Sequence, residues 1–270
     1  MFFEDKISAT RSACLIAAIV LSSGCDRRAT ENSSERRALV VFAASSMTEA
    51  LGQMEAVFEA ANPTIDVQLH FAGSQALRLQ IEQGAPADLF VSANKRHADA
   101  LAEASLTSTP YTFAYNELVV ITPKDNPAKL ETFAQLGKAR SIVIGAREVP
   151  VGSYTGELLE RSRQDLGEAF FQEVSSKIVS REQNVRLVRA KVELGEADAA
   201  IVYRTDALAS ERVHMIEIPD NLRVRAAYTV SVVKGQGGEE APAATAFLQT
   251  MRAPAGRQVM ARYGFSMESK

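Results

Sequence analysis

Two short stretches of the 270-residue chain put serine where an apolar strand gives way to a helix: Ala44-Ser45-Ser46 and Ala72-Gly73-Ser74. A serine at a helix start caps free backbone N–H groups. The same unpaired N–H row, backed by the positive end of the helix dipole, also makes a ready anion site. Gly73 lets a ligand approach the backbone closely. One such junction reads as a helix cap and nothing more; two in successive strand-to-helix turns point to a shared purpose. Two further junctions occupy the same place in the pattern. One is residues 145–153 (GAREVPVGS), with Pro150 and Gly152 shaping the turn; the other is Glu182-Gln183-Asn184-Val185-Arg186. Tyr203 sits just past an apolar strand, where its phenol either presents a hydroxyl to a cleft or packs as a half-buried core aromatic. A catalytic use of Ser45 or Ser46 needs a base in reach. Neither loop has the G-x-S-x-G form of a nucleophile elbow. The three histidines (His70, His97, His214) are scattered and suit surface or packing roles.

These junctions need elements to hold them, and the apolar pattern supplies them from residue 38 onward. Residues 38–43 (ALVVFA) read as a buried strand. Met47, Leu51, Met54 and Phe58 then recur at helical spacing until Asn62-Pro63 ends the helix. Strand alternation over 65–71, a helix over 76–82, a strand over 88–91 and a helix over 95–104 follow. After Tyr115-Asn116 the order resumes with strands at 118–122, 141–144 and 177–179 and helices at 155–166 and 184–194. A strand at 199–203, a long strand at 223–233 and two closing helices at 241–251 and 255–263 complete it. Strands and helices in alternation with short links imply parallel, doubly wound sheets. Such sheets bind ligands at the carboxyl ends of their strands, beside helix N-termini. That is where all four loops fall.

The composition sets outer limits. A chain of this size can hold one large domain or two lobes with their own cores, and 46% hydrophobic with 23% charged residues is ordinary for a globular protein. A net charge of -3 offers no electrostatic footprint for nucleic acid. Before the alternating region, Lys6 and Arg11 precede an uncharged run over 12–24. It is too short to span a membrane as a helix but suits the core of an export signal. The run ends in Leu21-Ser22-Ser23-Gly24-Cys25, which resembles the bacterial lipoprotein box, with Ser22 where a larger aliphatic residue is usual. The resemblance implies acylation of Cys25 as a lipid anchor and leaves residues 1–25 as leader and anchor. Cys14 then departs with the leader, so the mature domain has neither thiol nor disulfide and relies on its apolar core. Residues 26–37 (DRRATENSSERR) read as a flexible tether.

Phe42-Ala43-Ala44-Ser45-Ser46, the run FAGSQALRLQIEQGAPADLFVSA over 71–93, GAREVPVG over 145–152 and AIVYRTDA over 200–207 resemble the molybdate-binding proteins of ABC importers. Arg262-Tyr263-Gly264-Phe265 is similar to their C-terminus. The resemblance covers roughly residues 38 to 265. It implies an α/β, two-lobed type II periplasmic-binding-protein fold, each lobe a mostly parallel sheet flanked by helices, with the ligand in the cleft. Lobe 1 would be residues 38–115 and 227–270, and lobe 2 residues 116–226. The family's ligand contacts carry over to Ser45 and Ser74 through hydroxyl and backbone N–H, to Val151 and Val185 through backbone N–H, and to the Tyr203 hydroxyl. The family usually has Ala where Val151 stands, which leaves the backbone donor in place but adds bulk at the cavity.

The function so implied is the capture of molybdate, and with it tungstate, for a membrane permease and its ATPase. The carrier would be a monomer, lipid-anchored on the periplasmic or extracellular face of the cytoplasmic membrane. It would need no cofactor, no nucleic acid, no metal held by direct side-chain ligation and no catalytic group. All five contacts are uncharged donors, which suits a fully deprotonated oxyanion and rejects a protonated phosphate whose proton finds no acceptor. Sulfate must then be excluded by size. A binding protein for sulfate, phosphate or a similar oxyanion is the alternative on the same fold. A regulator's effector domain uses similar lobes but would carry a DNA-binding module and no export signal.

Overall fold

The computed structural model describes residues 36–235 and 242–267. The leader, Cys25 and all but the last two residues of the expected tether lie outside the described residues. Arg37 already belongs to the first strand, so that strand begins within the stretch read as a tether.

Nine strands and nine α-helices follow one another in the described residues: β1 (Arg37–Ala44), α1 (Thr48–Ala61), β2 (Ile65–Ala72), α2 (Ser74–Glu82), β3 (Leu89–Ser92), α3 (Lys95–Glu103), β4 (Tyr111–Pro123), β5 (Ile142–Gly145), α4 (Pro150–Leu166), α5 (Glu168–Ser176), β6 (Ile178–Glu182), α6 (Val185–Glu193), β7 (Ala199–Tyr203), α7 (Arg204–Leu208), β8 (Val213–Ile216), β9 (Arg225–Val232), α8 (Pro242–Arg252) and α9 (Pro254–Arg262). A 3₁₀ turn, Ser45–Met47, joins β1 to α1. Strands run in the order β2-β1-β3-β9-β4-β7-β5-β6, with β8 also on β4. In one half, β2, β1 and β3 are parallel, and in the other, β6, β5 and β7 are parallel. The long strands β4 and β9 lie antiparallel between them. β4 serves both halves: Tyr111 to Glu117 pair with β9, and Leu118 to Ile121 pair with β7. The α/β two-part architecture matches the expected fold class.

The buried runs explain the layering. All four residues of β3, all four of β5 and all five of β7 are buried, the pattern of strands covered on both faces. The main core joins β1, β4, β5, β7 and β9 to helices on their flanks, with Phe58 of α1 edge-on to Phe247 of α8 at 5.1 Å between centroids. A smaller cluster around Phe42, Leu77, Phe90 and Leu101 fills the opposite face of the first half under α2 and α3.

Three expectations change. β4 extends well before the strand expected at 118–122, because Tyr111 to Glu117 find their partner in β9, more than 100 residues away in sequence. α4 begins at Pro150 rather than at 155: proline at the first helical position has a fitting φ and lacks only an N–H that would be unpaired there anyway. The last four residues of the turn expected at 145–153 are therefore the first turn of a helix. Helices α5 and α7 and strand β8 are short and were not legible as separate elements. Among the described residues no helix is long and apolar enough to cross a membrane.

Candidate functional site

The carboxyl ends of β1, β2, β5, β6 and β7 converge with the helix starts that follow them. There Ser45, Ser74, Val151, Val185 and Tyr203, the five residues singled out from the sequence, line one small cavity. Ser46, Gly73 and Asn184 share the lining, together with alanines, Val149 and Pro150, and none of the lining side chains is charged.

Each donor is set by its local sequence. In α2 the N-cap is Gly73 and Ser74 is the first helical residue. The Ser74 hydroxyl does not cap its own helix; its oxygen accepts from the Ala93 N–H at 3.1 Å, which leaves the hydroxyl proton for another acceptor. Ser45 opens the 3₁₀ turn, and no serine side chain caps that turn either. Its neighbour Ser46 shares a 2.7 Å hydrogen bond with the Tyr228 hydroxyl. The simple cap role for these serines is thereby removed. In α4 the first helical residue is Pro150, which has no N–H, so the first free backbone donor is that of Val151. In α6 the Asn184 side chain caps the N–H of Leu187 at 3.0 Å, which leaves the N–H groups of Val185 and Arg186 unpaired within the helix.

Tyr203 is 1% exposed, and its hydroxyl has no hydrogen-bond partner among the described residues. Burial, with the Tyr228 and Tyr154 phenols nearby, holds its pKa well above the ordinary value, so it stays a donor. The ring is fixed edge-on to Tyr228, which in turn meets Phe265 edge-on. Asn116 donates to Thr205 at 2.9 Å and to the Tyr228 hydroxyl at 3.4 Å.

Glycines let these parts meet. A Cβ on Gly152 would lie 1.9 Å from the Ala146 carbonyl oxygen, so the start of α4 packs directly on the end of β5. A Cβ on Gly145 would lie 2.6 Å from Cγ1 of Val151. The extra bulk at Val151, expected to alter the cavity, is thus received in part by Gly145. A Cβ on Gly73 would lie 2.4 Å from the Gln183 carbonyl oxygen, which belongs to the opposite half. The two halves touch in other places too. Gln75 donates to that Gln183 carbonyl at 2.8 Å, Arg96 donates to the Glu148 carbonyl at 3.0 Å, and His97 Nε2 lies 2.9 Å from it.

Serine hydroxyls, free N–H groups at four helix starts and a buried phenol make a site of neutral donors. Such a site stabilises an anion through hydrogen bonds and aligned dipoles, with no counter-charge that must itself be stripped of water. The Ser46–Tyr228 pair, Asn116 and the cross-cleft contacts were not found from the sequence, because their partners lie far apart along the chain. Gly73 was expected to let a ligand approach the backbone, and the neighbour the structure puts there is the Gln183 carbonyl.

Fold and cavity together define a solute-binding protein. The chain belongs to the bacterial extracellular solute-binding protein family, whose model matches residues 39–266. It is 34% identical over 233 residues to the molybdate-binding protein ModA of Mycobacterium tuberculosis, covering 85% of each chain. It is 33% identical over 270 residues to ModA of Haemophilus influenzae, covering 97% of this chain and 98% of that one. The periplasmic molybdate-binding protein of Azotobacter vinelandii superposes with a TM-score of 0.72 over 86% of this chain and 100% of that one. At 20% identity, that likeness speaks for the fold alone.

Proposed function

We propose that the protein captures molybdate, and tungstate with it, and delivers the anion to the permease and ATPase of an ABC importer. The convergence of Ser45, Ser74, Val151, Val185 and Tyr203 on one cavity without a charged lining side chain carries this reading. Two relatives at 33–34% identity are themselves molybdate-binding proteins. The ligand's oxygens would accept from the Ser45 and Ser74 hydroxyls and N–H groups, from the N–H groups of Val151 and Val185, and from the Tyr203 hydroxyl. Such a ligand would also give the Tyr203 hydroxyl the partner that a buried donor requires. The role is binding, with no catalytic step.

The two lobes of this reading are residues 38–115 with 227–270, and residues 116–226, closing on the anion between them. The Leu21 to Cys25 motif supports an acylated Cys25 that holds the carrier, as a monomer, at the outer face of the cytoplasmic membrane.

A thermal-shift titration of the purified protein with molybdate, tungstate, sulfate and phosphate tests the ligand. At one hundred times the dissociation constant a bound ligand stabilises by about 2.7 kcal/mol. Molybdate and tungstate should reach that value with little response to the other two. Equal shifts with sulfate would overturn the choice of ligand.

A further inference from the structure

Arg186 follows Val185 at the start of α6, and its guanidinium leaves that half of the molecule for the other. Nε donates to the Ser45 carbonyl at 3.1 Å, and Nη2 donates to the Glu49 carboxylate of α1. Asp206 of α7 also stands close by, with Oδ1 3.4 Å from Nε. The Asp206 side chain is fully buried, and neither carboxylate oxygen has a hydrogen-bond partner among the described residues. Nε has a single proton, and that proton goes to Ser45, so Asp206 receives no hydrogen bond from it.

The Ser45 carbonyl therefore gathers three donors: the Thr48 N–H, the Thr48 hydroxyl at 2.7 Å and Arg186 Nε. The peptide from Ser45 to Ser46 is trans, so the Ser46 N–H points opposite to that carbonyl. Ser46 lines the cavity. Fixing the carbonyl on the Arg186 side thus fixes a backbone donor on the other.

We propose that Arg186 is a positioning residue that couples anion capture to closing of the cleft, by fastening α6 to Glu49 and to the Ser45 carbonyl and so orienting the Ser46 N–H toward the anion. The proposal rests on the oxyanion-binding reading above. The Glu49 carboxylate, which Arg186 keeps ionised, offsets the guanidinium charge, so the clasp adds no bare cation to a site of neutral donors. A planar fork can serve a carbonyl and a carboxylate at once, which a lysine ammonium at the same position does poorly.

The test is molybdate binding, by calorimetry for affinity and stopped flow for rates, on the parent and three variants. Arg186→Gln is combined with Asp206→Asn, so that no buried carboxylate loses its cation; Arg186→Lys and Glu49→Gln stand alone. The double variant should bind about ten- to hundredfold more weakly. The loss should lie in faster dissociation, with association changed by no more than about twofold. Its ligand-free melting temperature should stay near the parent's, whereas a merely structural role would lower that temperature and leave dissociation alone. Glu49→Gln should shift dissociation in the same direction, and Arg186→Lys should restore only part of the loss. Dissociation at the parent's rate in the double variant overturns the proposal, and so does parent-like dissociation in Glu49→Gln if the double variant fails to fold. A parent that does not bind molybdate overturns the ligand reading itself, an outcome seen before any variant is made.

Discussion

A buried hydroxyl without a partner costs about 1–3 kcal/mol, and the Tyr203 hydroxyl is such a group, held beside Ser45 and Ser74 on one cavity. Removing any one of these hydroxyls should therefore weaken the anion complex more than the fold. A hydrogen bond to a charged group is worth about 1.5–3 kcal/mol, so Ser45→Ala, Ser74→Ala and Tyr203→Phe should each lower affinity about ten- to hundredfold. Calorimetric titration reads this directly, and parent-like affinity in both serine variants would remove those hydroxyls from the site. Tyr203→Phe should leave the melting temperature of the ligand-free protein unchanged or slightly raised, since it deletes an unsatisfied donor and keeps the ring. Gly73→Ala acts by another route. Its φ of -67° suits alanine, so the backbone is not strained. The added Cβ instead meets the Gln183 carbonyl at 2.4 Å across the cleft. Affinity should fall at least about tenfold, a cost of about 1.4 kcal/mol, with ligand-free stability near the parent's; unchanged affinity would show that the contact is not needed for closure. At this scale the sequence was readable where one residue type recurs at equivalent places, as with the serines of two successive strand-to-helix junctions, which the structure brings to one cavity. It was silent on Ser46 with Tyr228, and on Arg186 with Glu49 and Asp206, because those pairings exist only once β9, α1 and α7 are in place.

The helix starts explain why backbone donors are available at the cavity. In α6 the Asn184 side chain satisfies the Leu187 N–H and nothing nearer, so it orders the first turn while leaving the Val185 N–H free. Asn184→Ala should cost about 1 kcal/mol of stability. It should also raise hydrogen exchange in the first turn of α6 and weaken molybdate binding, because Val185 and Arg186 both belong to that turn. Equal exchange in parent and variant at those amides would separate the cap from the site. In α4 the corresponding work falls to Pro150 and Gly152, which let the helix begin against the end of β5. Sequence periodicity found the long amphipathic helices and the apolar strands well, since burial on one face dictates those patterns. It missed the first turn of α4, where proline and glycine are as much at home in a loop as in a helix start. It also missed the early part of β4, whose apolar face is defined by β9 rather than by its own neighbours.

Across the whole molecule, two buried titratable groups respond to pH in opposite senses. His97 is pushed down to about 4, chiefly by burial, against the help of its hydrogen bond with the Glu148 carbonyl and with Arg96 and Arg78 adding to the shift. Asp206 is pushed up to about 7, again chiefly by burial, with Arg186 and Arg189 opposing and Glu49 reinforcing. A histidine whose folded pKa lies below its unfolded 6.5 contributes stability that is present above pH 6.5 and is lost as pH falls toward 4. An aspartate whose folded pKa lies above its unfolded 3.8 contributes stability that is present below pH 3.8 and is lost as pH rises toward 7. Between about pH 5 and 6.5 the two slopes oppose each other, each at most about 1.4 kcal/mol per pH unit for one proton. The ligand-free parent should accordingly show nearly constant stability across that window. His97→Gln, which keeps a donor for Glu148, should become more stable as pH falls through it. Asp206→Asn should do the reverse. Denaturant unfolding at pH 5.0, 5.5, 6.0 and 6.5 measures all three slopes, and parallel curves for parent and both variants would show that neither group titrates differently in the folded state.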